Sequence, residues 1–377
     1  GLGAMGAATA YQLARRGAAV LGIDRFDPPH AFGSSHGDSR ITRCAIGEGP
    51  AYTPLALRAR DIWQTLEVET GARLMETRGC LVLAPGSHAG RGADFLATTI
   101  ATAERHAIPH EVLDAAALAT RFPHLDRIEG HRACFEPGAG ALHPEACVEA
   151  QLRMAVHHGA RLRRGTAVTA LDRTAAGVTF TLDSGERVQA AQAVVAAGPW
   201  AGRLLGAPFD RLLTPQRQVQ HWFALDDDAP SSWRSSPVVI RAHGDGAHFA
   251  YAVPDLSGAA IVKMGSHNDT PAADPMAGLD PVTPEEAAAF HQTFVAGYAI
   301  GVTPRQLRGS PCFYTMTPDG HFIADDHPAL PGVMVLAACS GHGFKHSAAL
   351  GEAVAERLAL GAPAHADLAP FALSRFA

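Results

Sequence analysis

The residues best suited to chemistry sit in a few short stretches. At the start, Gly1-Leu2-Gly3-Ala4-Met5-Gly6 has the spacing G-x-G-x-x-G, and Asp24 follows Gly6 by 18 residues. Glycines at this spacing let a backbone approach a pyrophosphate, which rests on helix amides at the positive end of the helix dipole. An acidic residue about 20 positions further on accepts from a ribose hydroxyl. The motif alone is a weak signal. Helix, strand and terminal acid follow it in order, so Gly1, Gly3, Gly6 and Asp24 are expected to hold a dinucleotide. The strand that should lead into the motif is absent from this sequence, and the sheet is expected to lack it. The loop Gly33-Ser34-Ser35-His36-Gly37-Asp38-Ser39-Arg40-Ile41-Thr42-Arg43 mixes small residues with His36, Arg40 and Arg43. It suits either a solvated loop or a cradle for an anion or carboxylate. Late in the chain, Cys312-Phe313-Tyr314-Thr315-Met316-Thr317-Pro318-Asp319 and Ser340-Gly341-His342-Gly343-Phe344-Lys345 bring a thiol, an aromatic hydroxyl and a lysine near glycines.

Composition bounds what these stretches can belong to. A chain of 377 residues exceeds one simple core, so two domains are expected, and 47% hydrophobic residues can bury them. A net charge of −6 argues against nucleic-acid binding, which needs a basic face. The 20 histidines include no pair at metal-ligand spacing on a helix beside a cysteine or carboxylate, so no metal site is expected. The six cysteines (Cys44, Cys80, Cys134, Cys147, Cys312, Cys339) form no CxxC and no dense framework, as for reduced thiols in a cytoplasmic protein. No run of 18 apolar residues occurs, so no membrane span is expected.

The elements that must position these residues can be read in order. Ala7, Ala10, Tyr11 and Ala14 make one apolar helix face, with Gly17 as its stop, and 18–23 reads as a buried strand ending at Asp24. A helix is expected over 54–69, a strand over 77–84, helices over 89–107 and 114–121, and an irregular glycine-rich turn over 136–140. Pro144 opens a helix that runs to Gly159. Strands follow at 160–164, 166–172, 176–182 and 186–197, the last apolar up to Gly198-Pro199 as in a buried parallel strand. Alternating segments at 218–225, 237–241, 247–253 and 259–266 predict an antiparallel sheet, followed by a helix over 284–299 and a last helix reaching 360. The fold class expected is α/β: a Rossmann-like dinucleotide-binding domain plus an α+β substrate domain with an antiparallel sheet. The first is assembled from 1–78, 146–214 and 308–377, the second from 79–145 and 215–307.

The motifs Gly-x-Gly-x-Met-Gly, Phe-Asp-Pro-Pro-His, Gly-Ser-x-His-Gly-Asp-x-Arg, Pro-Asp-x-His-Phe-Ile and Ser-Gly-His-Gly-Phe-Lys, in this order, resemble those of the monomeric sarcosine oxidase and N-methyl-L-tryptophan oxidase family. The resemblance spans the whole chain apart from the first strand. It implies an FAD joined through its 8α-methyl to the sulfur of Cys312, where an inert buried thiol would be the default. Lys263 corresponds to the lysine that assists oxygen, Arg40 and His36 to groups close to the flavin ring, and Gly341, Gly343 and Lys345 to the segment meeting the ring's pyrimidine edge. Arg43 and Lys345 correspond to the cations that bind the substrate carboxylate, and Tyr251, His267 and Tyr314 to the lining of the amine pocket. The sequence departs from the family pattern at Ser35 and Cys44, where the family has histidine, and at Ile46, where it has an aromatic residue. These changes are expected near the substrate side, while Cys44 and Cys339 are expected to serve packing.

What the resemblance implies is oxidative demethylation of an N-methyl amino acid by a monomeric, cytoplasmic enzyme, with O2 as acceptor and a small secondary amine as its partner. Alternatives are an oxidase of a cyclic imino acid or a glycated amino acid, a flavin dehydrogenase that passes electrons to a carrier, and a noncatalytic flavoprotein module.

Overall fold

The structure is a computed structural model that describes residues 1–86, 90–175, 177–243, 248–267, 270–362 and 365–377. Residues 89, 176 and 247, each the first of an expected element, lie outside the described residues.

One layer is helical. Helices Ala4–Arg15, Tyr52–Thr70, Pro144–His157 and Ser347–Leu360 share a core with Leu2, Tyr11, Trp63, Leu142 and Phe322. Small residues allow the first and last of these helices to meet closely. A Cβ added at Gly351 would fall 2.4 Å from the Cβ of Ala8, so the two backbones touch where both side chains are minimal. Beside this layer, Leu21–Ile23 pairs in parallel with Arg161–Arg163, and Ala193–Val195 pairs in parallel with Val333–Ala337. The segment 186–197 is therefore two strands rather than one. Arg187–Ala190 joins Gly177–Leu182 and Val168–Thr174 in an antiparallel sheet, with residues exposed or half-buried in turn, whereas Ala193–Val195 belongs to the buried parallel pair. The apolar run was real but too short to carry the polar residues ahead of it into one strand.

The second layer is an eight-stranded sheet in the order Val302–Met316, Thr214–Leu225, Ile261–His267, His248–Pro254, Val238–His243, Cys80–Pro85, His131–Glu136, Glu111–Leu113. Its members pair antiparallel except Val238–His243 with Cys80–Pro85. The expected strand over 77–84 is split by Gly79, which adopts φ +81° between Met75–Thr77 and Cys80–Pro85. A long strand that the periodicity did not show, Val302–Met316, forms the sheet edge and carries Cys312. The helix expected over 284–299 ends at Phe290 and continues as a single wide turn, His291–Val295, because Phe290, Phe294 and Val295 bury themselves against one face of the sheet. The sheet's other face, with the helical layer and the loop of residues 33–43, encloses the site.

Candidate active site

A cavity of about 1870 Å³ links the glycine turn, Asp24, Cys312, Lys263, Arg43 and Lys345. At its first end the backbone is bare. A Cβ on Gly6 would fall 1.8 Å from the carbonyl oxygen of Gly1, and one on Gly1 would fall 2.4 Å from that of Ala196. The helix beginning at Ala4 has no acidic residue in its first turn, and apart from the Ala4 N–H, which Ser35 Oγ accepts, its positive end is left to a ligand anion. Asp24 accepts the Leu2 N–H at 2.6 Å and the Phe26 N–H at 2.8 Å. Burial pushes its pKa up, but His30 and these amides outweigh that and hold it below the usual carboxylate value.

At the other end the loop of residues 33–43 is stitched to the sheet. Ser34 Oγ donates to the Phe313 carbonyl at 2.6 Å, and Arg40 donates to Ser34 O at 2.7 Å, Ser39 O at 2.8 Å and Gln220 Oε1 at 3.0 Å. Lys263 Nζ donates to Gly37 O and Ser39 O, both at 2.7 Å, and is 4% exposed. Burial, reinforced by Arg40, holds this ammonium well below the ordinary lysine pKa. Lys263 pairs with Val253 and Trp222, and Gly265 with Tyr251 and Gln220. Lys263 and His267 thus share the cavity face with Tyr251 and Phe249, while Val262 and Met264 enter the core behind. Both faces of this strand are buried, which is why its sequence shows no alternation.

On the edge strand, Cys312 and the run Tyr314, Thr315 and Met316 border the cavity. Cys312 is 3% exposed and burial raises its thiol pKa. The Tyr314 and His267 rings lie 5.5 Å apart between centroids, tilted, and both close over Gly341. Gly341 takes φ +77°, and a Cβ there would sit 2.5 Å from His267 Cε1 and 2.6 Å from Tyr314 Cε2. A Cβ on Gly265 would meet the Tyr251 hydroxyl at 2.4 Å, so that hydroxyl lies flat over the strand. Burial raises the Tyr251 and Tyr314 pKa values, keeping both phenols neutral.

Arg43 and Lys345 meet at the cavity wall, and both touch Glu48. Arg43 Nη2 donates to Glu48 Oε2 at 2.6 Å, and Lys345 Nζ donates to Glu48 Oε1 at 3.1 Å. Arg43 also donates to the Ala45 carbonyl and lies over the Phe95 ring at 5.1 Å. Burial tends to raise the Glu48 pKa, but Arg43 and Lys345 overcome this and hold it well below the ordinary carboxylate value. Sequence reading missed Glu48, although a carboxylate five residues after a cation in a candidate anion loop was a usable sign. It also missed Gln220, Ile240, Phe95 and Phe249, whose approach depends on register and helix placement.

Several expectations need correction. His36 is buried but does not line the cavity. Its Nε2 finds no partner among the described residues, and burial with Arg40 holds its pKa at about 4. Cys44 packs in the helical core as expected, and Ile46 joins it there instead of facing the substrate side; the Cys44 and Ala45 N–H groups donate to Glu136. Ser35 Oγ accepts the Ala4 N–H at 3.2 Å, which places it at the glycine turn. Cys339, expected to pack, is half-buried and lines the cavity. The other expected residues, Gly1, Gly3, Gly6, Asp24, Arg40, Arg43, Tyr251, Lys263, His267, Cys312, Tyr314, Gly341, Gly343 and Lys345, all border it.

A glycine turn without room for side chains, a helix N-terminus free of acidic residues and a distant buried thiol in one cavity suit an extended dinucleotide that carries a redox ring. That combination defines a flavin-type oxidoreductase. The family described as FAD dependent oxidoreductase matches residues 1–357, and the chain belongs to it. It is 35% identical over 382 residues to monomeric sarcosine oxidase of Bacillus sp. (strain NS-129), covering 100% of this chain and 95% of that protein. It is 33% identical over 381 residues to N-methyl-L-tryptophan oxidase of Yersinia pestis (strain Pestoides F), covering 100% and 98%. In fold it is similar to NikD, an unusual amino acid oxidase essential for nikkomycin biosynthesis, with TM-score 0.81, 21% identity, and 99% and 95% of the two chains covered. It is likewise similar to glycine oxidase of Geobacillus kaustophilus, with TM-score 0.78, 21% identity, and 100% and 97% covered.

Proposed function

We propose that this chain oxidises an N-methyl amino acid to the primary amino acid, formaldehyde and hydrogen peroxide, consuming one O2 and one water. The observation that carries this reading is a single cavity bordered at once by a buried thiol, a buried lysine and a pair of cations. FAD, when bound, supplies the two-electron acceptor for the N-methyl carbon and passes the electrons to oxygen. The fit to FAD rests on the bare glycine turn and on Asp24 at the far end. Cys312, buried and facing the cavity, is the residue that would carry the covalent 8α-S-cysteinyl link.

The roles of the remaining side chains follow from their positions. Arg43 and Lys345 take the substrate carboxylate and orient the amine. Tyr251, His267 and Tyr314 line the amine's pocket. Lys263, held by two carbonyls, places its amino group where it can assist the reduction of oxygen, and Arg40 organises the same loop. His36 supports that loop from behind. Gly341, Gly343 and the backbone up to Lys345 place amides at the start of the last helix, where negative charge on a reduced ring would be stabilised. No side chain is required to remove a carbon-bound proton. A cationic pocket favours the free amine over the ammonium, so activity rises with pH through the bound amine's pKa.

The same reading divides the chain into an FAD-binding part, 1–78, 146–214 and 308–377, and a substrate part, 79–145 and 215–307. The latter contributes most strands of the large sheet. The enzyme is proposed to act as a cytoplasmic monomer. Free cysteines throughout the described chain agree with a reducing compartment. No helix among the described residues is long and apolar enough to cross a membrane. The test is a panel of sarcosine, N-methyl-L-tryptophan, L-proline and L-pipecolate, with peroxide and formaldehyde measured together. Equal yields of the two products from an N-methyl substrate support the proposal. Peroxide from the cyclic imino acids alone, or no peroxide with any of them, defeats it.

A further inference from the structure

The carboxylate of Glu48 sits where a pocket built to hold a substrate carboxylate would seem to need only cations. Its two oxygens are divided between the two cations, Oε2 to Arg43 at 2.6 Å and Oε1 to Lys345 at 3.1 Å. Arg43 and Lys345 are 3% and 6% exposed and the Glu48 side chain 17%, so water screens the group only in part. Both cations keep donors beyond these contacts. Lys345 spends one further N–H on the His342 carbonyl at 2.9 Å, leaving one of three, and Arg43 spends one on the Ala45 carbonyl. Both also border the cavity.

We propose that Glu48 sets the charge of this anchor, so that Arg43 and Lys345 together accept one substrate carboxylate and disfavour a second. The proposal rests on the function proposed above. With Glu48 ionised the three groups sum to a single positive charge, which one carboxylate neutralises. A dicarboxylate would leave an uncompensated negative charge in a buried site, where like charge and lost hydration are costly. Without Glu48, two buried cations would face each other, and the lysine would give up its proton first.

The surroundings add little charge. From the last segment, His342 is held neutral by burial, with its pKa near 3, and His346 is held well below the ordinary value for the same reason. From the sheet, burial pushes the Cys80 thiol up to about 12, and from the helix Tyr52–Thr70 the Tyr52 phenol is raised by burial and by Glu48. Glu136 also acts electrostatically on Arg43, but it does not border the cavity and has both oxygens on the Cys44 and Ala45 amides. Burial lowers the Lys345 pKa to about 8, with Glu48 opposing and Arg43 adding to the fall. Anion binding that depends on this ammonium is therefore present below about pH 8 and lost above it.

The experiment titrates flavin-loaded enzyme with acetate and with malonate from about pH 6 to about pH 9, reading Kd by calorimetry and by the flavin spectrum. Wild type should bind acetate at least about tenfold more tightly than the malonate dianion, with acetate affinity falling through about pH 8. At the acid end of this range, where Lys345 keeps its proton, Glu48→Gln should move the acetate-to-malonate ratio about tenfold toward malonate, and the loss of acetate binding should shift to lower pH. An unchanged ratio and an unchanged midpoint in Glu48→Gln overturn the inference. Should that variant not fold, Glu48→Asp keeps the charge but shortens the bridge. It should retain the acetate preference with a lowered midpoint, and a midpoint equal to wild type counts against Glu48. If wild type binds neither anion, the carboxylate anchor itself fails; if it binds both equally, only the role of Glu48 fails.

Discussion

Replacing Gly341 by alanine tests how tightly the ring end of the cavity is built. Gly341 sits at φ +77°, and a Cβ there would approach His267 Cε1 to 2.5 Å, Tyr314 Cε2 to 2.6 Å and His267 Nδ1 to 2.7 Å. The backbone part of the cost is common to any alanine in this conformation, about 1 kcal/mol. The contact part is specific. Ordinary carbon contacts lie near 3.5–4.0 Å, so both rings must retreat by roughly 1 Å, and a misplacement of that size at a reacting centre costs about 10²-fold in rate. Gly361 is the internal control. It ends the last helix at φ +83° with nothing within 4 Å of an added Cβ, so Gly361→Ala pays only the backbone term. Urea melts should show both variants destabilised by about 1 kcal/mol or more, while peroxide release should fall about 10²-fold for Gly341→Ala alone. If Gly341→Ala keeps wild-type kcat/KM, or if the two variants lose activity equally, the tight closure of His267 and Tyr314 over this glycine has no catalytic consequence.

Three other outcomes are expected. Lys263→Met should slow reoxidation by oxygen by about 10²–10³-fold while anaerobic reduction by substrate stays near wild type, since it removes the amino group that assists the oxygen step; stopped-flow measurement of both half-reactions decides this, and equal slowing contradicts the role. In Cys312→Ser the yellow colour should pass into the supernatant on acid precipitation while the wild-type protein keeps it in the pellet, and colour retained by the variant would move the link elsewhere. Stability should fall on acidification below about pH 6.5. Burial holds His342 and His243 near 3 and His36, His124 and His221 near 4, below the ordinary 6.5. The unfolded chain thus takes up protons that the folded chain refuses, and each such histidine removes about 1.4 kcal/mol per pH unit across that window. Glu48, whose folded pKa is depressed, adds to the loss below its ordinary value of 4.5. Urea midpoints that stay level between about pH 7 and about pH 5 would rule this out.

The dinucleotide end was legible because its requirements are local. Gly6 is needed for its contact with the Gly1 carbonyl five residues back, the helix begins directly after the turn, and Asp24 reaches back to the Leu2 amide across one helix and one strand. The close approach of Gly1 to the Ala196 carbonyl, by contrast, comes from a remote segment. The alternating segments of the large sheet could be read for the same reason, up to the point where both faces became buried. On Ile261–His267 the side-chain period survives in space but not in the sequence, since Val262 and Met264 meet apolar neighbours while Lys263 is solvated by carbonyls. Val302–Met316 escaped notice because its first half is polar and exposed and only its last residues enter the cavity.

The sequence by itself determined the dinucleotide site, most of the helices and strands and the residue types available for chemistry, because glycine spacing, helix periodicity and strand alternation act over short distances. The direction of each side chain was decided only by tertiary structure. Cys44 and Ile46, one and three residues beyond Arg43, turn into the helical core because Glu136 captures the intervening amides. Glu48 meets Lys345 across 297 positions of chain because the loop of residues 33–48 and the start of the last helix are pressed against the same sheet. An anchor made of two cations and one carboxylate depends on distances of about 3 Å between remote segments, and no local pattern encodes those.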